Sequence, residues 1–178
     1  MHNDVKKILI SSEEIQEKVK ELGKIITNDY RGKDLLLLCI LKGSILFMGD
    51  LMKSIDTYLT TEFMSVSSYG NSTVSTGSVR ILKDLDMPVN SKDILIVEDI
   101  IETGLTLDYI CNYLKGKGAS SVEIVTLLDK PSGRKIEITP KYTGFKVGDE
   151  FVVGYGLDFK ENYRNLPYIG VLKENMYK

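Results

Sequence analysis

Residues 94–106, Ile-Leu-Ile-Val-Glu-Asp-Ile-Ile-Glu-Thr-Gly-Leu-Thr, constrain the fold more than any other stretch of the chain. The four leading apolar residues read as a buried strand, and Glu98 and Asp99 mark its carboxyl end. Glu102 follows three residues later. Thr103, Gly104 and Thr106 then make a small, hydroxyl-rich turn, and from Leu105 apolar residues recur at helical spacing. In an open α/β sheet, ligands bind outside the carboxyl ends of the strands. The unpaired N–H groups of a helix start can hold a phosphate there, and the helix dipole favours its charge. Acids just upstream offer acceptors for sugar hydroxyls. The segment therefore suits a sugar phosphate. The plainer alternative is a buried strand followed by a polar turn, which any α/β domain can carry.

The rest of the chain repeats the strand–helix–strand order. Ser11 and Glu14 stand at capping-box spacing, and Ile15, Val19, Leu22, Ile25 and Ile26 follow at helical intervals, so residues 12–29 read as an amphipathic helix. After the turn Arg31-Gly32-Lys33-Asp34, Leu35–Leu41 is apolar without alternation, as in a strand covered on both faces. Lys42-Gly43-Ser44 interrupts it, and Ile45, Met48, Leu51, Met52 and Ile55 form a helical stripe. Residues 58–67 read as a strand. Residues 68–78 hold Gly, Ser, Thr and Asn with almost no apolar anchor and are expected to be mobile. Residues 79–82 read as a short returning strand, 93–99 as the central strand and 105–114 as the next helix, closed by Lys115-Gly116-Lys117-Gly118. Residues 122–128 and 151–155 read as further strands. This order predicts an α/β fold, a mostly parallel twisted sheet flanked by helices. The 178 residues fit a single domain, with the tail from about 147 to 178 expected to form a small hood beside the sheet's carboxyl edge.

Composition narrows the chemistry. The net charge of −2 argues against a general nucleic-acid binder. The longest apolar run, Leu35–Leu41, is far short of the roughly 20 residues of a membrane span. Residues 1–7 are polar with no apolar signal core behind them, so a cytoplasmic location is expected. Cys39 and Cys111 lie in apolar patterns without metal-type spacing and read as reduced core residues. The one histidine is His2. Mechanisms of the Ser-His-Asp or Cys-His kind need an internal imidazole, and typical zinc sites need clustered His and Cys, so both classes fall away. Proton transfer is left to carboxylates, lysines or tyrosines.

The segment 94–106 resembles the signature of the type I phosphoribosyltransferases: a hydrophobic strand, two acids, a short spacer and a Thr/Gly-rich turn. Further segments match the hypoxanthine-guanine branch of that family in order. They are Leu41-Lys42-Gly43, Ser68-Tyr69, Asp129-Lys130, and Phe151-Val-Val-Gly-Tyr-Gly-Leu-Asp158 followed by Arg164. The last is the discriminating one, because the wider family shares the signature but not this tail. The resemblance implies a phosphoribosyltransferase-like fold with a hood and a flexible active-site loop. It implies transfer of a 5-phosphoribosyl group from phosphoribosyl pyrophosphate to a 6-oxopurine, hypoxanthine or guanine, with Mg²⁺ and release of pyrophosphate. Partners are then these two small molecules, not nucleic acid or membrane, and the family's habit is a homodimer or homotetramer.

Roles follow from the same resemblance. Glu98 and Asp99 are the ribose-hydroxyl and metal-side acids, and Asp158 is a further metal-side group. Glu102, Thr103, Gly104, Leu105 and Thr106 surround the 5′-phosphate. Lys42, Gly43 and Arg164 serve pyrophosphate, in a loop where relatives can hold a cis Leu41–Lys42-type peptide. Lys130 donates to the 6-oxo group, Phe151 stacks on the base, and Val152 meets its edge through the main chain. Ser68 and Tyr69 belong to loop closure. Glu102 also stands where the pattern more often has the Asp that exchanges a proton with the purine, so the acid/base role passes to a side chain one methylene longer. Arg134 is an additional candidate, and Glu150 stands where some relatives are basic. Three other readings fit parts of the sequence: a transferase preferring xanthine or another base, a regulator that keeps the pocket without catalysis, and a sugar-phosphate enzyme of another α/β fold. The last does not explain the tail.

Overall fold

A computed structural model describes residues 1–68 and 79–177. The expectation of mobility for 68–78, and the loop-closure role of Tyr69 and of the Ser68 side chain, lie outside the described residues.

The elements run β1 (Val5–Ile10), α1 (Ser12–Asp29), β2 (Leu35–Leu41), α2 (Ile45–Ser54), β3 (Leu59–Ser68), β4 (Val79–Lys83), β5 (Asp93–Ile101), α3 (Leu105–Gly116), β6 (Ser121–Asp129), β7 (Tyr142–Lys146), β8 (Val152–Val153) and β9 (Ile169–Leu172), with short 3₁₀ turns before, between and after them. The main sheet has six strands in the order β4-β3-β2-β5-β6-β7. All neighbours are parallel except β3 and β4. This is the expected α/β architecture.

Strand alternation distributes the core between the two faces. Leu35, Leu37 and Cys39 of β2 join Leu95, Val97 and Val125 in one cluster with Ile15, Val19, Leu22 and Ile26 of α1 and Phe47, Met48 and Leu51 of α2. Leu36, Leu38 and Ile40 join Ile94, Ile96 and Ile124 in the other, against Leu107, Ile110 and Leu114 of α3. A strand buried on both faces has no polar positions to spare, which is why Leu35–Leu41 reads as an unbroken apolar run. The capping box forms: Glu14 N–H donates to Ser11 Oγ at 3.2 Å, and Ser11 N–H donates to Glu14 Oε2 at 2.7 Å. Among the described residues no helix is long and apolar enough to cross a membrane.

A second, antiparallel sheet has three strands in the order β1-β9-β8. Two of these come from the tail, but β1 comes from the N-terminus and pairs Val5 with Leu172. The strand expected over 151–155 shortens to Val152–Val153, because Gly154 (φ 103°) and Tyr155 (φ 47°) turn into left-handed backbone.

Candidate functional site

β2 and β5 are parallel neighbours, from Leu35 beside Asp93 to Cys39 beside Val97. From β2 the sheet continues outward through β3 and β4, and from β5 it continues the other way through β6 and β7. α2 and α3 cross over on opposite faces. The crossovers therefore change sides between β2 and β5, and the carboxyl ends of such strands are the usual ligand position in these sheets.

A cavity of about 290 Å³ lies at this end, lined by Ile40, Glu98, Ile101, Glu102, Thr103, Gly104 and Thr106 among others. Most of the residues expected around a sugar phosphate thus meet at one place; Leu105 belongs to the same turn as the first residue of α3. Gly104 caps α3 with φ 82°, a left-handed conformation that L side chains adopt at a cost of about 1–2 kcal/mol, and a Cβ there would collide with Ile138. The first N–H groups of a helix have no intrahelical acceptor, and Gly104 and Thr106 carry such groups at the cavity wall. The carbonyls of the turn are taken from behind. Thr103 O accepts from Lys135 N–H at 3.0 Å and Ile136 N–H at 3.3 Å, and Glu102 O accepts from the Arg134 guanidinium at 3.2 Å. Arg134 is itself paired with Asp129, which is buried at the end of β6. The turn is therefore clamped through its carbonyls by residues 134–136, and Leu105 N–H donates within it to Thr103 Oγ1 at 3.4 Å.

The two adjacent acids differ in surroundings. Glu98 lines the cavity. Burial, and then the neighbouring Asp99 carboxylate, push its carboxyl well above the ordinary glutamate range. Asp99 Oδ1 accepts the N–H of Ile100 at 2.8 Å. Its other oxygen fills the space a Cβ would take on Gly43, so the loop after β2 lies directly on this carboxylate. The Leu41–Lys42 peptide leading into that loop is cis.

The tail docks onto the same loop. Gly156 (φ 100°) lies so close to the Gly43 carbonyl that no side chain fits between them. Arg164 then reaches back, donating to the Gly156 carbonyl at 2.7 Å and pairing with Asp158 at 2.8 Å and Glu161 at 3.0 Å. Lys42 Nζ pairs with the other Glu161 oxygen at 2.7 Å. The two cations expected to serve pyrophosphate are thus joined through one carboxylate, a link with no local sequence signal.

Lys130 and Glu102 also meet, with Nζ to Oε1 at 3.0 Å. Gly133 backs the Glu102 side chain, and a Cβ there would overlap it. Phe151 is partly exposed. Tyr177 stacks on it, with ring centres 4.9 Å apart and planes at 21°, and Phe159 meets it edge-on. Val152 is buried in β8, paired with Val171. The sequence offered no sign of the roles of Gly133, Glu161 or Tyr177 here; Arg134 stood only as an additional candidate.

Glu98, Asp99 and Asp158 do not form a cage: among the described residues no three His, Cys, Asp or Glu side chains converge on one point. Mg²⁺ commonly takes only one or two carboxylates, with water and substrate phosphates completing its shell. The adjacent carboxylates of Glu98 and Asp99, and separately that of Asp158, are hard oxygen donors that fit this mode.

Residues 9–160 match the family model described as the phosphoribosyl transferase domain. The hypoxanthine-guanine phosphoribosyltransferase of Bacillus subtilis is 59% identical, covering 100% of this chain and 99% of that protein. The bifunctional protein TilS/HprT of Listeria monocytogenes is 56% identical over 99% of this chain, which spans 27% of that protein's length. A crystal structure of a hypoxanthine phosphoribosyltransferase from Staphylococcus aureus matches with a TM-score of 0.97 at 57% identity, over 100% of this chain and 97% of that one. Model, relatives and architecture agree, and the chain belongs to the phosphoribosyl transferase family.

Proposed function

We propose that this chain transfers the 5-phosphoribosyl group from phosphoribosyl pyrophosphate to hypoxanthine and/or guanine, giving IMP or GMP and pyrophosphate, as a purine-salvage enzyme. The observation that carries the reading is the clamped turn 102–106 at the cavity between β5 and α3, with Glu98 and Asp99 immediately before it.

The N–H groups and hydroxyls of Thr103, Gly104, Leu105 and Thr106 take the 5′-phosphate. Glu98 and Asp99 accept from the ribose hydroxyls. A purine ring nitrogen bonds to the anomeric carbon as the bond to pyrophosphate breaks, through a cation-like transition state with negative charge growing on the leaving group. Lys42, the Gly43 backbone and Arg164 face that charge with preorganised donors. Arg164's planar fork suits phosphate oxygens. Glu98, Asp99 and, through water, Asp158 would hold Mg²⁺, which supplies Lewis-acid neutralisation of diphosphate oxygens when bound.

On the base side, Phe151 stacks on the purine and Val152 meets its edge. The 6-oxo oxygen and N7 are neighbours on one side of a 6-oxopurine. A donor for the first and a proton acceptor for the second must therefore stand together, as Lys130 and Glu102 do. Lys130 donates to the oxygen and Glu102 exchanges the ring proton. The test is one purified sample assayed with hypoxanthine, guanine, xanthine and adenine, each with phosphoribosyl pyrophosphate and Mg²⁺. Turnover of hypoxanthine or guanine is expected. Turnover of adenine alone overturns the Lys130 assignment, and turnover of none overturns the enzyme.

A further inference from the structure

Among the described residues, Glu161 is the one group that touches both cations assigned to pyrophosphate. Its two oxygens are divided between them, Oε2 at 2.7 Å from Lys42 Nζ and Oε1 at 3.0 Å from Arg164 Nη2. A carboxylate held in this way presents to Lys42 and Arg164 what a diphosphate would present: two anionic oxygens, one for each donor. The bridge spans distant parts of the chain, since Lys42 follows β2 while Glu161 and Arg164 lie in the tail. Glu161 is held in place by its own N–H, which donates to Asp158 Oδ2 at 2.8 Å, and its backbone is left-handed at φ 63°. The Arg164 Nε is buried and has no acceptor among the described residues.

The bridge is also easy to break. Lys42 and Glu161 are both well over half exposed. An exposed ion pair of this kind shifts an equilibrium by only about two- to fivefold. It is strong enough to organise two long side chains and weak enough to yield to a multivalent anion.

We propose that Glu161 is a resident counter-anion of the pyrophosphate grip. It bridges Lys42 and Arg164 while the site holds no diphosphate, gives them up when diphosphate arrives, and competes for them again as pyrophosphate leaves. Its effect is to loosen the hold on the leaving group, which favours product release over product retention. This inference rests on the assignment of Lys42 and Arg164 above.

The experiment is calorimetric titration of the full chain with inorganic pyrophosphate and Mg²⁺ at fixed ionic strength, together with steady-state KM values for both substrates. The proteins are wild type, Glu161→Gln, Glu161→Asp and the exposed control Glu13→Gln. Glu161→Gln removes the charge. Glu161→Asp keeps the charge but withdraws the carboxylate by one methylene, so that it no longer spans both cations; Asp also tolerates left-handed backbone. Both Glu161 variants are expected to bind pyrophosphate about three- to tenfold more tightly, with the base KM and the control unchanged. An unchanged pyrophosphate Kd in either Glu161 variant overturns the inference alone, and tightening in Gln but not Asp reduces Glu161 to a nearby charge. Failure of the wild type to bind pyrophosphate overturns the site assignment and this inference with it.

Discussion

Glu102 Oε1 stands 3.0 Å from Lys130 Nζ, so the acid after β5 and the base after β6 form one unit. Sheet register brings them together: Ile101 pairs with Asp129, and Lys130 N–H donates to the Ile101 carbonyl at 2.9 Å. If the pair reads the oxygen and ring nitrogen of a 6-oxopurine, the two residues fail differently. Glu102→Gln should lower kcat by about 10²- to 10⁴-fold, the range for a lost general acid/base. Lys130→Met should instead raise the base KM by about 5- to 100-fold, the worth of a hydrogen bond to a desolvated group, and narrow the discrimination against adenine. Steady-state kinetics checks both; near-wild-type turnover in Glu102→Gln removes its assigned role.

Gly43 lies against the Asp99 carboxylate. In Gly43→Ala the new methyl needs the place of a carboxylate oxygen, and either the loop or Asp99 must move. Overpacking of this kind costs about 1–3 kcal/mol. Because both groups are assigned to the donor side in the proposed function, KM for phosphoribosyl pyrophosphate should rise about tenfold or more while KM for the base holds. Kinetics with each substrate varied, alongside urea unfolding, separates the local effect from general destabilisation.

Asp129 and Arg134 form a largely buried pair behind the phosphate turn. Arg134→Met leaves a buried carboxylate without its partner, a loss of about 3–5 kcal/mol. Asp129→Asn combined with Arg134→Met should recover at least about 1 kcal/mol of that, since the stranded charge is gone. Chemical denaturation of the two single variants and the double variant gives the coupling directly; strict additivity would count against the clamp.

Asp50 ties three elements: it accepts from Gln16 of α1 at 2.8 Å, from Lys53 of its own helix at 2.8 Å and from the tail's Tyr155 hydroxyl at 2.6 Å. Burial disfavours its charge, but these hydrogen bonds together outweigh burial and hold its carboxyl below the usual value. The folded group therefore titrates below the unfolded one, which lies near about 3.9. Its contribution is complete above that value and is lost as pH falls through the folded pKa. Thermal midpoints of wild type and Asp50→Asn should keep a constant gap from about pH 5 to 8 and converge below about pH 4.

What the sequence revealed and concealed follows from the range of the interactions. α1 and β2 were legible because capping, helical spacing and an all-apolar run are local patterns, and the cavity-lining turn because its residues are contiguous. β1 escaped because Lys6 and Lys7 make it look like a polar terminus, and its pairing with β9 spans nearly the whole chain. β7 escaped because Tyr142–Lys146 is short and contains Gly144, whose lack of a Cβ lets it pack on the Leu127 carbonyl. The Lys42–Glu161 bridge has the same origin: no periodicity announces a contact made only when the tail folds back on β2.

The antiparallel sheet that unites the two ends of the chain has a consequence for how such a protein can diversify. The groups assigned to the sugar donor are anchored mainly in the six-stranded sheet, whereas Phe151 and Val152 sit at the start of the separate three-stranded one. Under the proposed assignments, nucleobase taste can drift through changes in a peripheral layer while the groups assigned to activated ribose stay fixed. The exception is Lys130, rooted in the shared scaffold, which marks the boundary beyond which a new appetite requires rebuilding the centre.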